Sequence, residues 1–236
     1  MKISLVIPAY NEEKYLGDCL AHAVKNGAAL HEILVINNAS TDGTEGVAKD
    51  FPGVRVVTES RKGLTRARAR GLEEATGDIL AFIDADTRMP PGWVEKISRA
   101  FERDPGLVCV SGPYIYYDGG LPTTVGVWLY WRLLGMPMYW LKGFMAVGGN
   151  FAAKKSALRK IGGFDTTIEF YGEDTNIARR LARVGRVLFM LSLPMYTSAR
   201  RFRGDGLIRT GFVYAKNFLS EAFLRRPATE TYTDYR

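Results

Sequence analysis

Two aspartates separated by one residue, Asp84 and Asp86, directly follow the apolar run at residues 79–83. An uncharged run of this length predicts a buried strand, so both carboxylates would lie just past its end. Carboxylate oxygens are ligands that Mg²⁺ and Mn²⁺ prefer, and these cations complete their shells with water and phosphate oxygens. The triplet therefore indicates a divalent cation site, and an ordinary turn after a strand is the alternative.

A second acidic pair, Glu173-Asp174, stands where the pattern predicts the start of a helix running to about residue 184. A hydroxyl group is a poor nucleophile until a nearby carboxylate takes its proton, so this pair could supply a general base. Asp174 is also a natural N-cap for the helix. The local sequence leaves both roles open.

Two further polar residues, Arg68 and Asn38, are candidates for the same site. Arg68 lies on a different helix face from Arg70, which can pair with Glu74 four residues later, so Arg68 could reach a nucleotide. Asn38 could bind a nucleobase edge or support the turn that follows it. The two histidines, His22 and His31, have no evident metal partner in the sequence, and we interpret both as structural.

The elements that must position these residues alternate between strand and helix over the first part of the chain. Apolar runs predict strands at 3–7, 33–36, 54–57 and 79–83, with helices between them, one of which has Thr65 as its N-cap and ends near Ala75. This alternation predicts a parallel, doubly wound α/β sheet. Ligands gather at the carboxyl ends of such strands, which here carry residues 8–12, 37–42 and 84–86.

The second half of the chain is less regular. Residues 119–141 hold one charge, Arg132, and five large aromatic residues. Glycines and prolines interrupt the segment, so it is predicted to be a poor single helix. It could pack as a core layer, or it could present an apolar surface to a membrane or a lipid-linked substrate. The aromatic residues are Trp128, Tyr130, Trp131, Tyr139 and Trp140.

The bulk composition is that of an ordinary globular chain. The 236 residues are 47% apolar and 24% charged, and the net charge is +7. This length and composition suit a single α/β domain over 1–236. No uncharged apolar run of membrane-spanning length occurs, and the N-terminus is interpreted as a strand and not as a signal peptide. Two distant cysteines, Cys19 and Cys109, fit a reducing compartment. We therefore expect a cytoplasmic protein, with attachment to the cytoplasmic face of a membrane as an open question.

Basic residues are concentrated near the end of the chain. Residues 199–226 contain seven of them against Asp205 and Glu221. The surplus suits an anionic partner such as a phosphate or an anionic lipid surface, and a solvated basic face is the alternative. The seven are Arg200, Arg201, Arg203, Arg209, Lys216, Arg225 and Arg226.

Taken together, four segments resemble family-2 glycosyltransferases of the GT-A fold, and they occur in order between about residues 3 and 186. They are SLVIPAYNEEKYL, ILVINNASTDGT, GLTRARARGLEEATGDILAFIDADT and GGNFAAKKSALRKIGGFD…GEDTNIARRL. The resemblance implies an inverting transfer of a sugar from a UDP- or GDP-linked donor to an acceptor hydroxyl or lipid-linked phosphate. It implies Mn²⁺ or Mg²⁺ as cofactor and no nucleic acid partner. It also implies a nucleotide-sugar half at 1–112, an acceptor half at 113–226 and a short tail at 227–236.

The resemblance also assigns roles to individual residues. Asp84 and Asp86 match the Asp-X-Asp metal motif, and Asp174 matches the catalytic base, with Glu173 beside it. Asn37 departs from the pattern, because the family commonly carries Asp there, and the choice of nucleobase is therefore open. The residues expected around the donor are Pro8, Ala9, Tyr10, Glu12, Asn38, Arg68, Asp84, Ala85 and Asp86, and those on the acceptor side are Gly148, Gly149 and Asn150.

Two other classes of protein are weighed against this one. A nucleotidyltransferase would need a glycine-rich, basic phosphate loop after the first strand, and residues 8–12 have neither property. A catalytically silent nucleotide-sugar-binding protein would keep the pocket but lack the base, whereas Glu173-Asp174 is present.

Overall fold

The computed structural model describes residues 1–168 and 171–200, and beyond them residues 202, 206, 211–213, 216–217, 220–221 and 228–229. These residues form a seven-stranded sheet and a small three-stranded sheet. The strands are β1 Ile3–Ala9, β2 Glu32–Asn38, β3 Val54–Glu59, β4 Ile79–Ile83, β5 Thr87–Arg88, β6 Leu107–Ser111, β7 Tyr114–Tyr116, β8 Asn150–Lys154, β9 Arg186–Phe189 and β10 Met195–Thr197.

Helices cover both faces of the larger sheet. In the first helix Leu16, Leu20 and Ala23 recur at helical spacing, form an apolar stripe and are fully buried. The helices are α1 Leu16–Asn26, α2 Thr44–Lys49, α3 Leu64–Glu74, α4 Trp93–Arg103, α5 Gly120–Tyr130, α6 Met136–Lys142, α7 Lys155–Lys160 and α8 Glu173–Leu181, with a π-helical segment, Trp131–Gly135, between α5 and α6.

The strand order of the larger sheet places a ligand crevice between β1 and β4. The order is β3-β2-β1-β4-β8-β6-β9, and β8 runs antiparallel to both of its neighbours. The chain moves outward from β1 through β2 to β3 and then returns to the other side of β1 as β4. Ligands of open α/β sheets bind at such a reversal, beyond the carboxyl ends of the strands. The predicted mostly parallel α/β fold is confirmed.

The core has two layers because successive strand residues point to opposite faces. On β1, Leu5 and Ile7 pack in one apolar cluster with Leu20 of α1, while Val6 packs in the other with Leu72 of α3. Full burial of one such side chain stabilises the fold by roughly 1.5–3 kcal/mol. Cys19 lies in one cluster and Cys109 in the other; both are buried, and neither forms a disulfide.

Several elements differ from the sequence-based expectations. Helix α4 and strands β6 and β8 were not predicted, although Trp93, Ile97 and Phe101 carry a helical spacing. The expected N-cap of α3, Thr65, is wrong: the cap is Gly63, and the Thr65 hydroxyl instead donates to the carbonyl oxygen of Ile168 at 2.9 Å. Thr65 therefore ties α3 to a distant loop.

The aromatic segment is helical from α5 to α6, but as two α-helices joined by a π-helical segment and not as one regular helix, which agrees with the expectation of a poor single helix. Pro122 lies in the first turn of α5, where a missing N–H group costs little, and Pro137 lies at the junction of the π-helical segment with α6. The irregular hydrogen bonding between the two α-helices is confined to the π-helical segment that joins them.

One side of this helical segment is core and the other is surface. The ring of Trp131 packs against Phe189 with 5.1 Å between ring centroids. On the opposite side, Trp140 is 72% exposed and Leu133 67% exposed. Among the described residues no helix combines the length and apolarity needed to cross a membrane. The other exposed apolar residues of the segment are Leu121, Val125, Trp128, Leu129, Leu134 and Leu141.

Candidate active site

The loops that follow β1 and β2 are held together in a strained conformation. Asn11 and Ala39 have φ angles of 51° and 56°, which are uncommon for residues other than glycine and concentrate at functional sites. The backbone N–H of Asn11 donates to the Ser40 hydroxyl at 3.1 Å, and its side-chain oxygen accepts from the backbone of Thr41 at 2.8 Å. The two loops therefore form one rigid edge of the crevice.

The side chain of Asn38 supports a neighbouring loop. Its amide nitrogen donates to the carbonyl oxygens of Glu59 and Arg61 at 3.2 and 2.8 Å, and its oxygen accepts from the Gly63 N–H at 2.8 Å. These bonds tie the end of β2 to the loop between β3 and α3. Asn38 thus supports a different loop from the turn after β2 that the sequence suggested, and its expected contact with a donor stays a prediction.

Asn37, the departure from the family pattern, has a clear structural partner. Its amide nitrogen donates to Glu45 Oε2 at 3.0 Å. An aspartate could not donate this bond and would place like charges together. On the same edge of the sheet, the ammonium of Lys62 lies 4.0 Å from the centre of the Tyr10 ring.

Asp84, the first acid of the pair after β4, is held by the buried Arg68 and the partly buried Tyr114. Its Oδ2 accepts a 2.7 Å hydrogen bond from the Tyr114 hydroxyl, and its Oδ1 lies 3.3 Å from Nη2 of Arg68. Ala85, the residue between the two acids, is buried in the core. This packing fixes the direction in which Asp84 presents its carboxylate.

Asp86 lies in a different environment. Its Oδ2 lies 3.0 Å from Nε of Arg200, and its Oδ1 accepts from the Thr197 hydroxyl at 3.4 Å. Burial raises the pKa of Asp86 to about 7, an effect larger than the opposing one of the neighbouring Arg200 charge. A desolvated carboxylate with so high a pKa gains from an additional positive charge.

The second acidic pair begins α8, but Asp174 is not its N-cap. The cap is Gly172, whose φ of 81° favours glycine, and Asp174 is the second residue of the helix. Asp174 Oδ1 accepts from the Thr175 N–H at 2.7 Å. Glu173 is buried, whereas Asp174 is partly exposed. The expected cap role of Asp174 is therefore wrong, and its carboxylate remains within reach of a ligand.

Burial changes the proton affinity of both acids of this pair. It raises the pKa of Glu173 to about 7, although the Arg68 charge opposes the shift. It also raises the pKa of Asp174 above its usual value, against hydrogen bonds from Thr175 and from the backbone of Gly148. A carboxylate with a raised pKa is a stronger base.

A single guanidinium connects the two acidic pairs. Arg68 is 1% exposed and forms ion pairs with Asp84 and with Glu173. It therefore lies beneath the crevice, between the pair after β4 and the pair that begins α8. Sequence periodicity had separated Arg68 from the Arg70–Glu74 pair, which does form, at 2.8 Å.

Gly148 and Gly149 leave room for this arrangement. A Cβ atom on Gly148 would collide with Glu173 Oε1, and one on Gly149 would collide with the Tyr114 hydroxyl and the Asp84 carboxylate. Any larger residue would push the acidic groups apart. The glycine pair is therefore a steric requirement of the acidic cluster.

Asn150, which follows the glycines, is fully buried. Its amide nitrogen donates to the carbonyl oxygens of Pro113 and Leu193 at 3.2 and 2.8 Å, and its oxygen accepts from the Trp93 indole at 3.0 Å. These bonds account for the amide's position and anchor the start of β8 beside the acidic cluster.

The sequence did not predict the partner of Glu12. The Glu12 carboxylate accepts two hydrogen bonds from Arg200, at 2.9 Å from Nη1 and 2.7 Å from Nη2. The only sequence feature that pointed towards Arg200 as this partner was the excess of basic residues at 199–226. Within that segment Glu221 is buried and lies 2.8 Å from Arg179 of α8, so it is not part of a solvated face. The predicted basic residues 201, 203, 209, 225 and 226, together with Asp205, lie outside the described residues.

The chemistry of the cluster fits a divalent cation. Its carboxylates outnumber its guanidiniums, and Glu173 Oε2 is buried without a hydrogen-bond partner among the described residues. In the described part of the chain no three His, Cys, Asp or Glu side chains surround one point. A cation held by Asp84 and Asp86 would depend on phosphate and water for its other ligands, as Mg²⁺ and Mn²⁺ commonly do.

An apolar cleft opens beside the acidic cluster, between β7 and α5. It has a volume of about 130 Å³. Tyr114, which bonds to Asp84, forms one wall. Tyr130 of α5 lies close enough to Asp174 for that charge, together with burial, to raise the Tyr130 pKa. Other lining residues are Tyr116, Val127, Trp128, Trp131, Arg132 and Leu191.

The match to a family model identifies the class to which this site belongs. The model described as "Glycosyl transferase family 2" matches residues 4–162, which include both glycines and the acidic pair after β4. The chain belongs to glycosyl transferase family 2.

Characterised relatives are similar over part of their length. A glucosyl-dolichyl phosphate glucuronosyltransferase of Haloferax volcanii is 26% identical over 70% of this chain and 56% of its own length. A dolichol-phosphate mannosyltransferase of Pyrococcus furiosus is 32% identical over 57% of this chain and 38% of its own length. The chain thus spans about half of the length of the first relative and less than half of the length of the second.

Solved structures share the GT-A fold. One is a mannosyltransferase of Pyrobaculum calidifontis in complex with GDP-mannose and Mn²⁺, with a TM-score of 0.72 and 21% sequence identity. The superposition covers 95% of this chain and 63% of the mannosyltransferase chain. Glucosyl-3-phosphoglycerate synthase of Mycobacterium tuberculosis, with Mn²⁺, UDP-glucose and phosphoglyceric acid, covers 95% of this chain and 79% of its own, with a TM-score of 0.66 at 21% identity.

Proposed function

We propose that this chain transfers a sugar from a UDP- or GDP-linked donor to an acceptor hydroxyl or lipid-linked phosphate, with inversion at the anomeric carbon. One observation carries the proposal: Arg68 pairs with Asp84 on one side and Glu173 on the other, so the two acidic pairs surround one buried centre. A donor diphosphate at the first pair would hold its sugar close to the second.

The donor side depends on the first acidic pair. A divalent cation, Mn²⁺ or Mg²⁺, held by Asp84 and Asp86 would neutralise the charge that develops on the leaving diphosphate. Tyr114 and Arg68 orient the Asp84 carboxylate through their contacts of 2.7 and 3.3 Å. The donors and Mn²⁺ present in the two solved relatives support this assignment.

Asp174 is the proposed general base. It is partly exposed, whereas Glu173 is buried against Arg68. Its raised pKa strengthens it as a proton acceptor, and proton removal by a positioned base contributes roughly 10²–10⁴-fold to a rate. A base that activates the acceptor opposite the leaving diphosphate produces inversion in a single displacement.

Replacing Asp174 with asparagine tests the enzymatic role. We expect release of UDP or GDP from nucleotide sugars to fall by about 10²-fold or more, because the base is lost. Binding of UDP or GDP with Mn²⁺ should persist. Asp50→Asn, at the exposed end of α2, is the matched control and should keep wild-type turnover.

Two results would contradict this assignment. Wild-type turnover in the Asp174→Asn variant would exclude Asp174 as the base. A wild-type protein that binds donor but never releases the nucleotide would favour a silent binding protein.

A lipid-linked acceptor at a membrane surface is the proposed setting. The exposed side of α5, the π-helical segment and α6 carries Trp128, Leu133 and Trp140, and the only charges on this stretch are those of Arg132 and Lys142. Apolar side chains beside basic ones suit an anionic bilayer surface. The two relatives named for dolichyl phosphates support this acceptor class. We place the protein on the cytoplasmic face.

Flotation with vesicles that contain anionic phospholipid tests the membrane surface. The wild type should float with the vesicles, and Leu133→Gln combined with Trp140→Gln should stay in the soluble fraction, because apolar contact is lost. Val24→Gln, an exposed apolar residue on α1, is the matched control. A wild type that remains wholly soluble would contradict membrane docking.

A further inference from the structure

Arg200 joins the loop after β1 to the loop after β4. It follows β10, and its guanidinium accounts for three contacts: Nη1 and Nη2 to Glu12 at 2.9 and 2.7 Å, and Nε to Asp86 at 3.0 Å. The guanidinium also lies 4.7 Å from the centre of the Tyr15 ring. With its side chain 17% exposed, Arg200 is a fixed part of the crevice.

These contacts place a positive charge where a metal ligand is expected. Asp86 Oδ2 accepts from Arg200, and Asp86 Oδ1 is close to the Thr197 hydroxyl. A divalent cation approaching Asp86 therefore meets a guanidinium that already neutralises this carboxylate. Cation binding must displace Arg200 from Asp86 or proceed against its charge.

A nucleoside diphosphate changes this competition. Guanidinium groups bind phosphate oxygens through charge-assisted hydrogen bonds as readily as they bind carboxylates. Once a diphosphate enters beside Asp86, a displaced Arg200 has a new anionic partner at the same edge of the sheet. Without the diphosphate, Arg200 keeps its two bonds to Glu12, but its ion pair with Asp86 is lost without replacement.

We infer that Arg200 is a counter-ion for Asp86 that makes binding of the divalent cation conditional on the nucleoside diphosphate. The inference rests on the proposed function and adds a positioning role for Arg200 to it. The two ligands bind cooperatively, and each raises the affinity of the site for the other by the same factor. The free cation alone binds weakly.

Calorimetric titration of Mn²⁺ with and without UDP or GDP measures this coupling. In the wild type, the nucleotide should tighten Mn²⁺ binding by about tenfold or more. In Arg200→Gln, Mn²⁺ alone should bind about tenfold or more tightly than in the wild type, because one charge-assisted hydrogen bond no longer competes. The coupling factor should shrink accordingly.

Two further variants keep the test decisive. Arg186→Gln removes an exposed arginine that pairs with Asp104 at 2.9 Å, far from the crevice at the start of β9, and should leave both affinities unchanged. If Arg200→Gln fails to fold, Glu12→Gln with Arg200→Gln removes the paired charges together and should show the same gain in Mn²⁺ affinity.

The outcomes separate the two claims. If Mn²⁺ alone binds Arg200→Gln, or the double variant, no more tightly than it binds the wild type, the counter-ion role is overturned while the proposed function stands. If the wild type binds neither Mn²⁺ nor UDP nor GDP in any combination, both the proposed function and the counter-ion role are overturned.

Discussion

Replacing Arg68 with methionine removes the guanidinium shared by Asp84 and Glu173 while keeping a long apolar side chain. Arg68 is 1% exposed and Glu173 7% exposed, so Glu173 would be left buried with no opposite charge beside it. Breaking a buried ion pair by removing one partner typically costs about 3–5 kcal/mol. Asp84 is 37% exposed and retains its Tyr114 bond, so we expect the lower end, about 3 kcal/mol at pH 8.

The matched control is Arg70→Met, which lies on the same helix. The Arg70–Glu74 pair is 38% and 28% exposed, and solvent-screened pairs of this kind contribute about 0–1 kcal/mol. The free energy of unfolding of both variants is measured by urea titration followed by circular dichroism, with chelator present, at pH 8 and at pH 5.

The pH dependence makes this prediction specific. At pH 5 Glu173 takes up a proton and its unpaired charge disappears, so the loss in Arg68→Met should be smaller than at pH 8. A loss no greater than that of Arg70→Met, or one equal at both pH values, would refute the claim that Arg68 neutralises a buried acid.

Two other predictions concern the same cluster. Burial raises the pKa of Glu173 to about 7, so between the unfolded value of about 4.3 and pH 7 the folded state holds the extra proton. The free energy of unfolding should therefore fall as pH rises through that window, and Glu173→Gln should flatten the slope in metal-free urea titrations; an unchanged slope in the variant would count against this. Gly149→Ala should cost about 1–3 kcal/mol, because its methyl group meets Asp84 and Tyr114. Gly46→Ala, with open space in α2, should cost nothing; equal losses in the two alanine variants would contradict the steric argument.

Local sequence patterns predicted the parts of the fold that depend on local chemistry. Uncharged apolar runs located β1, β2 and β4, because a strand buried on both faces excludes charge, whereas β3 carries Arg55 and is only partly buried. The position of Asp84 and Asp86 at the carboxyl end of β4 followed from the same runs. Helix α4 and strand β6 were not predicted, although residues 93–103 carry apolar residues at helical spacing and residues 107–110 form an uncharged apolar run.

Local sequence patterns could not predict contacts between residues that are far apart in the sequence. Arg200 and Glu12 are 188 positions apart, and a surplus of basic residues indicates an anionic partner without saying which one. Helical spacing showed that Arg68 faces away from Arg70, but not that Asp84 and Glu173 meet it. The two prolines of the aromatic segment did not end it, because one lies in the first turn of α5 and the other at the junction of the π-helical segment with α6.

The binding of nucleoside diphosphates tests the central claim most directly. In thermal unfolding with UDP or GDP, a ligand at 100 times its dissociation constant stabilises the folded state by about 2.7 kcal/mol. We predict a stabilisation by one of these nucleotides that requires Mn²⁺ and is lost in Asp84→Asn combined with Asp86→Asn. Stabilisation of equal size without Mn²⁺, or in the double variant, would contradict a donor site built on this acidic pair.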